Sequence, residues 1–337
     1  MATIRDIAKE AGISAGAVSR ILNNDATLSV SPETRQTVFD IAKRLNYTKK
    51  NNKTKSEKAA FTMGIVQWFS AEEELKDNYY LLARQGIEDF CAKNAIAIVR
   101  VFPGESDAKE RLENVDGLIC IGKFSKSEIE TFISICNNIV FLDMAVEKYN
   151  ITSLSMDFEQ AVYSALDYLT DLGHSKIGFL GGLEYVGEHE LINDSRTVAY
   201  KKYMEHRNMD YCTYFKEGLF TSQSGYKMMS ELLDSGNIPT AIFAASDAIA
   251  FGAMRAIQER NLRIPDDISI IGFNDEETCS YMNPPLTSIH APAYDMGQHG
   301  ANLIYVSTNL SIHTPLKAKI PCELVIRNSC TKREDLK

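Results

Sequence analysis

Apolar positions in the first 47 residues recur at helical spacing. Ile4, Ile7, Ala8 and Ala11 follow the i, i+3, i+4, i+7 rule of a buried stripe, and Gly12 then supplies a turn. Ser14 is placed to cap a second helix, from Ala15 to about Asn23, with Val18, Ile21 and Leu22 turned inward. A third helix opens with Ser31 as N-cap and Pro32 in its first position, and buries Val38, Ile41, Ala42 and Leu45. Two short helices around a glycine turn, with a supporting helix behind them, match a helix-turn-helix unit. A plain three-helix cap has the same spacing.

From Phe61 onward the pattern changes to short apolar runs alternating with amphipathic segments. Strands are predicted over 61–69, 96–102, 117–122, 139–143, 176–182, 240–246 and 268–274, and helices over 79–93, 159–173, 224–236 and 247–261. Such alternation calls for parallel sheets covered on both faces. Some 270 residues of it fit two doubly wound lobes, with a ligand at the carboxyl ends of the strands in the cleft between them.

Composition divides the chain the same way. A length of 337 residues, with 45% hydrophobic and 24% charged, fits two or three globular domains rather than a disordered chain. The net charge of -9 argues against a nucleic-acid partner until it is resolved by position. Residues 1–58 hold 11 Lys and Arg against 6 Asp and Glu, a balance of +5, and the rest holds 25 against 39, a balance of -14. A basic head is joined to an acidic body. The seven cysteines lack paired spacing, so free thiols in a reducing cytosol are expected rather than disulfides or zinc. No secretory signal opens the sequence and no run of about 18 apolar residues occurs, so a soluble cytoplasmic protein without a membrane partner is expected.

The string TIRDIAKEAGISAGAVSRILN resembles the DNA-binding head of the LacI/GalR family of transcription regulators. Thr3, Asp6, Ile7, Ala8, Ala11, Gly12, Ile13, Ser14, Val18, Ser19, Arg20, Leu22 and Asn23 match its pattern, and Ala17 replaces the usual threonine. The resemblance implies that the second helix enters the major groove. Ala15 would then meet a thymine methyl, Gly16 would let the backbone approach, and Arg20 would contact guanine. Thr3, Ile4, Arg5, Ser14 and Ser19 would approach the sugar-phosphate chain or adjacent bases. The alternative for Arg20 is a solvated surface arginine.

Residues 48–58, TKKNNKTKSEK, carry five lysines and no apolar side chain, so Lys49, Lys50 and Lys53 are expected to neutralise phosphates. In the family this stretch often forms a hinge helix whose leucine wedges into the minor groove. Lys53 and Ser56 stand in the corresponding places here, so no apolar wedge is expected and binding should lean on charge.

The likeness continues through LGHSKIGFLGG, PTAIFAASDAIAFGAMRAIQERNLRIPDDISIIGFND and PPLTSI, and implies a periplasmic-binding-protein-like body. The expected layout is a head over 1–47, a linker over 48–60, a body over 61–330 and a tail over 331–337. Lobe one would take about 61–156 and 289–319, and lobe two about 157–288 and 320–330. YYLLARQGIEDFC and NVDGLICIGK look closest to repressors of galactose and β-galactoside utilisation, including evolved β-galactosidase repressors.

A sugar presents several hydroxyls and an apolar C–H face, so its site combines Asp, Asn or Arg with an aromatic plate. By resemblance, Arg196 matches the family's effector arginine and Phe220 lies where an aromatic plate is commonly supplied. Ser246, Asp247, Asn274 and Asp275 match positions that reach the ligand, and Asp143, Trp68, Phe69, Tyr79 and Tyr80 would complete the near lobe. Asp143, Asp247 and Asp275 also suit simple helix caps, and the four near-lobe aromatics also suit the core.

No enzyme constellation is visible. The six histidines are dispersed, and neither a phosphate loop, a G-x-G-x-x-G turn nor a G-x-S-x-G elbow occurs, so no cofactor, metal or catalytic residue is expected. NSCTKREDLK after Arg327 lacks leucine heptads, so a homodimer on a near-palindromic operator is expected rather than a tetramer. The reading is a sugar-responsive DNA-binding repressor. A solute-binding receptor, a global carbon-catabolite regulator of the same family and a glycoside hydrolase are the alternatives.

Overall fold

In the computed structural model the described residues are 3–22, 25, 28, 30–45, 47, 61–74, 77–312 and 314–333. Lys49, Lys50 and Lys53, and with them the linker expectation, lie outside these. The chain divides into two compact units, 1–59 and 60–337.

The first unit packs helices α1 (Ile4–Ala11), α2 (Ala15–Leu22) and α3 (Pro32–Arg44) around Ile7, Val18, Ile21 and Val38. Thr3 and Asp6 cap α1 reciprocally: the Thr3 N–H donates to Asp6 Oδ2 at 2.8 Å, and the Asp6 N–H to Thr3 Oγ1 at 3.3 Å. Gly12 ends α1 in the left-handed region at φ 69°, which only a residue without Cβ adopts cheaply. The Ser14 hydroxyl accepts the Ala17 N–H at 3.1 Å and starts α2. Leu22 and Leu45 are half-buried at the rim rather than in the core.

The second unit runs β1 (Thr62–Gln67), α4 (Ala71–Glu74), α5 (Tyr79–Lys93), β2 (Ala97–Val101), α6 (Ala108–Leu112), β3 (Gly117–Ile121), α7 (Lys126–Ile135), β4 (Ile139–Leu142) and β5 (Thr152–Met156). It continues with α8 (Phe158–Asp171), β6 (Ile177–Gly182), β7 (Glu184–Val186), β8 (Glu190–Ile192), α9 (Ser195–His206), β9 (Phe215–Gly218), α10 (Ser222–Asp234), β10 (Ala241–Ala244), α11 (Asp247–Glu259), β11 (Ser269–Asn274) and β12 (Thr287–His290). It ends with α12 (Ala293–Leu310), β13 (Lys317–Ile320) and β14 (Glu323–Val325).

Two six-stranded sheets result, β13-β5-β4-β3-β1-β2 in lobe one and β14-β12-β11-β10-β6-β9 in lobe two. All pairs are parallel except β12 with β14. Central strands such as β3 and β10 are buried along their whole length, as sheets covered on both faces require. The chain passes between sheets after β5, β12 and β13. β12 keeps its place in the second sheet to His290 and β13 in the first to Ile320, so two of the expected crossings move by one or two residues.

In each sheet the strand order reverses beside the first strand, between β1 and β3 and between β6 and β10. A crevice forms at the carboxyl ends of strands where their order reverses. Those ends lead into Trp68, Lys123, Glu184 and Ala245.

Candidate ligand cleft and nucleic-acid interface

On the lobe-one side, β4 runs into Asp143, a non-glycine residue in the left-handed region at φ 66°. That turn aims its carboxylate at the start of α5. Tyr79 donates its hydroxyl to Oδ1 at 3.1 Å, and Tyr80 donates to Oδ2 at 2.7 Å. Lys123, following β3, reaches the same Oδ2 at 2.6 Å. Burial and the Asp143 charge push both tyrosine hydroxyls well above their ordinary 10, so they stay donors. Burial pulls the Lys123 ammonium down, but Asp143 and Glu184 outweigh it and hold it above 10.5.

On the lobe-two side Asp194 caps α9, accepting the Arg196 N–H at 2.6 Å. Its carboxylate also takes the Arg196 Nε at 3.0 and 3.1 Å and one terminal nitrogen, while the other terminal nitrogen donates to the Ala245 carbonyl at 2.8 Å. Arg196 is 8% exposed, with its guanidinium carbon 4.8 Å from the Phe220 ring centre, 5.2 Å from Phe158 and 5.3 Å from Phe273. The Phe220 ring lies on β6 at Gly182, where a Cβ would come within 2.1 Å of it. Burial opposes charge on Asp194, yet Arg196 holds its carboxyl below 3.8. Glu184, 3.7 Å from Arg196, is pushed up to about 7 by burial, against the pull of Lys123.

The lobes meet over this site. The Trp68 indole donates to the Tyr185 carbonyl at 3.1 Å, and Trp68 and Phe69, tilted against each other, both pack edge-on with Tyr80. A hollow of about 610 Å³ opens beside Gln67, Trp68 and Tyr185, and one of about 480 Å³ opens beside Asp143, Phe158 and Asn193. Carboxylates that accept hydroxyls, a fixed arginine and phenylalanine faces make a surface suited to a polyol with an apolar side. Among the described residues no group of three His, Cys, Asp or Glu could hold a metal ion.

Three residues expected at the ligand are also engaged within lobe two. Ser246 is 0% exposed and caps α11, accepting the Ile249 N–H at 3.3 Å. Asp247, also 0% exposed, accepts the Ser288 hydroxyl at 2.6 Å and the Glu276 N–H at 2.8 Å, and so fastens the loop after β11. Asp275 pairs with Arg327 at 2.7 Å. All three contacts lie inside lobe two. Asn274 stays at the strand end, 9% exposed and at φ 109°.

In the head, Gly16 and Arg20 lie exposed on α2, with Ala15 and Ser19 half-buried beside them, and Arg5 is exposed on α1. Ile4 is half-buried against the head core. Arg20 donates from Nε to Asp25 at 2.7 Å, an exposed pair that fixes the stem of the side chain. Thr3 and Ser14 spend their hydroxyls on caps.

Residues 3–50 match the model for "Bacterial regulatory proteins, lacI family", and residues 166–330 match a "Periplasmic binding protein-like domain". The chain is 37% identical to the HTH-type transcriptional regulator GalR of Streptococcus thermophilus over 332 residues, covering 98% of this chain and 99% of that one. The protein belongs to the lacI family. This lacI-family chain is also 32% identical to the transcriptional repressor MelR of Bacillus subtilis (strain 168), with 98% of each covered. Its fold matches the lac repressor dimer bound to operator and the anti-inducer ONPF with a TM-score of 0.70 at 26% identity, covering 98% and 99% of the two chains. It is a DNA-binding transcriptional regulator with a helix-turn-helix head and a two-lobed α/β body.

Sequence reasoning missed Lys123, Phe158, Glu184, Asp194 and Phe273 in this regulator's cleft. The strand-end rule that found Asp143 applies equally to Lys123 after β3 and to Glu184 after β6. Asp194 was visible as an N-cap two residues before Arg196.

Proposed function

We propose that the protein is a homodimeric repressor of galactose or β-galactoside utilisation genes, released from a near-palindromic operator by a sugar bound in the cleft. The observation that carries this reading is Arg196, immobilised by Asp194, faced by three phenylalanines and tied to the Ala245 carbonyl where the second sheet reverses strand order. Likeness to the GalR and MelR regulators supports the gene class. Likeness to an operator-bound repressor dimer supports the assembly.

The head places α2 in the major groove, where Arg20 reads a base pair and Gly16 lets the backbone approach. Lysines of the 48–58 segment add phosphate contacts whose strength falls with salt. Sugar closes the lobes into an arrangement with weaker operator affinity, which needs about 1–3 kcal/mol of coupling. The body binds and does not turn over its ligand. Its site of action is the cytoplasm, and no described helix is long and apolar enough to cross a membrane.

The test is fluorescence anisotropy on an operator selected from random DNA, titrated with galactose, lactose and allolactose. A five-fold or larger loss of operator affinity with one of them is expected. Operator binding that ignores every sugar sinks the effector assignment, and no selected operator at all sinks the repressor.

A further inference from the structure

Arg20 and Asp25 stand five residues apart, a spacing that a helix does not bring face to face. They meet because the chain turns back after α2. The Asp25 N–H donates to the Arg20 carbonyl at 3.0 Å, and the Asp25 carboxylate takes the Arg20 Nε at 2.7 Å. Asp25 is also held from α3. Arg35, half-buried on that helix, donates from one terminal nitrogen to the Asp25 carbonyl at 3.4 Å and to the Leu28 carbonyl at 3.3 Å. Asp25 is thus anchored through its N–H, its carbonyl and its side chain, and two of those three bonds go to Arg20.

An exposed ion pair of this kind adds little to stability, and the Arg20 and Asp25 side chains are 47% and 29% exposed. Its consequence is geometric. An arginine loose about its stem can reach a phosphate as readily as a base edge, and a phosphate carries no sequence information. Holding Nε restricts the plane of the guanidinium. Guanine O6 and N7 are met by one edge of that plane, and with Nε on a carboxylate the edge is the pair of terminal nitrogens. The Asp25 charge also repels the phosphates toward which the arginine would otherwise swing.

We propose that Asp25 is a positioning residue for operator recognition, holding Arg20 to a base edge and off the phosphate chain. This rests on the reading of α2 as the groove helix and of Arg20 as its base contact. It is independent of which effector the body binds.

Fluorescence anisotropy on the full chain tests this with the selected operator, its single-base-pair variants and an unrelated duplex. The proteins compared are the native chain, Arg20→Met, Asp25→Asn, Asp25→Glu and the R20M/D25N double variant. D25N should lose roughly ten-fold in preference at the base pair that R20M also relaxes, and keep its preferences elsewhere. Its slope of log affinity against log salt should steepen by about 0.9, the signature of one further phosphate contact. The double variant should be no less selective than R20M alone, and D25E, which keeps the carboxylate, should retain more of the preference than D25N. A loss spread evenly over the operator in both D25N and D25E, or effects of D25N and R20M that add, makes Asp25 a support of the head and overturns the proposal. So does native preference at every base pair in D25N, or an unchanged salt slope. If R20M relaxes no base pair, the groove reading of Arg20 falls, and this proposal with it.

Discussion

Replacing Asp194 by Asn separates the two tasks of that residue. Asparagine caps a helix as well as aspartate does, so α9 keeps its start. The buried guanidinium of Arg196, however, loses the carboxylate that takes its Nε at 3.0 and 3.1 Å. Stranding one partner of a buried pair costs about 3–5 kcal/mol. Glu184 at 3.7 Å offsets part of this, so the lower end, about 3 kcal/mol, is expected. At about 2–4 °C per kcal/mol for a unit of this size, the melting midpoint of the body should fall by about 6–12 °C. Near-UV circular dichroism on the full chain measures it. Adding Arg196→Met removes the stranded charge and sets an unbranched apolar chain among Phe158, Phe220 and Phe273, so the double variant should recover at least half of the loss. A D194N midpoint within 2 °C of the native value, or a double variant no more stable than D194N, refutes the clamp.

Arg20→Met should cost about 1–3 kcal/mol of operator affinity and relax preference at one base pair, and an unchanged binding profile would place Arg20 outside the groove. Thr3→Ala breaks the reciprocal cap of α1 and should speed hydrogen exchange of its amides about five-fold, equivalent to about 1 kcal/mol. Gly182→Ala puts a Cβ within 2.1 Å of the Phe220 ring and should weaken sugar binding by roughly ten-fold, read by calorimetry, because the ring must leave the guanidinium. Glu184 holds its proton to about pH 7 in the folded chain but to about 4.5 when exposed, so unfolding releases a proton between these values. Its contribution to stability is therefore full below about pH 4.5 and is lost as pH rises through about 7, and Glu184→Gln should flatten that part of the melting profile.

The alternation of apolar and amphipathic segments disclosed the buried parallel strands β1, β3, β4, β6, β10 and β11, because a strand covered on both faces is apolar throughout. It was silent on β5, whose TSLSM sequence mixes serines into an interior strand, and on β9 and β14, which sit at sheet edges and carry charge. In the head the starts of α2 and α3 were legible, since Ser14, Ser31 and Pro32 act locally, while the Thr3–Asp6 box that opens α1 was not read. Asp143, Arg196 and Phe220 were read at a strand end or by likeness, and the fold sets Asp143 at the end of β4 and Arg196 against the Phe220 ring. Phe158 and Phe273 were not, because they come to Arg196 from the start of α8 and from β11, far away in sequence. Ser246, Asp247 and Asp275 show why such residues read two ways: a polar residue at a strand end is as useful for tying down the next loop as for touching a ligand.

The chain has one tryptophan, and the fold sets it at the seam of the two lobes. Its half-buried indole donates its N–H to a carbonyl of the opposite lobe and its ring is packed against Phe69 and Tyr80, so opening the seam breaks that bond and changes the surroundings of this chromophore. Emission excited at the red edge of protein absorbance therefore comes from a single place. The regulator carries an intrinsic optical gauge of its own closure, with no label to attach and no second indole to subtract.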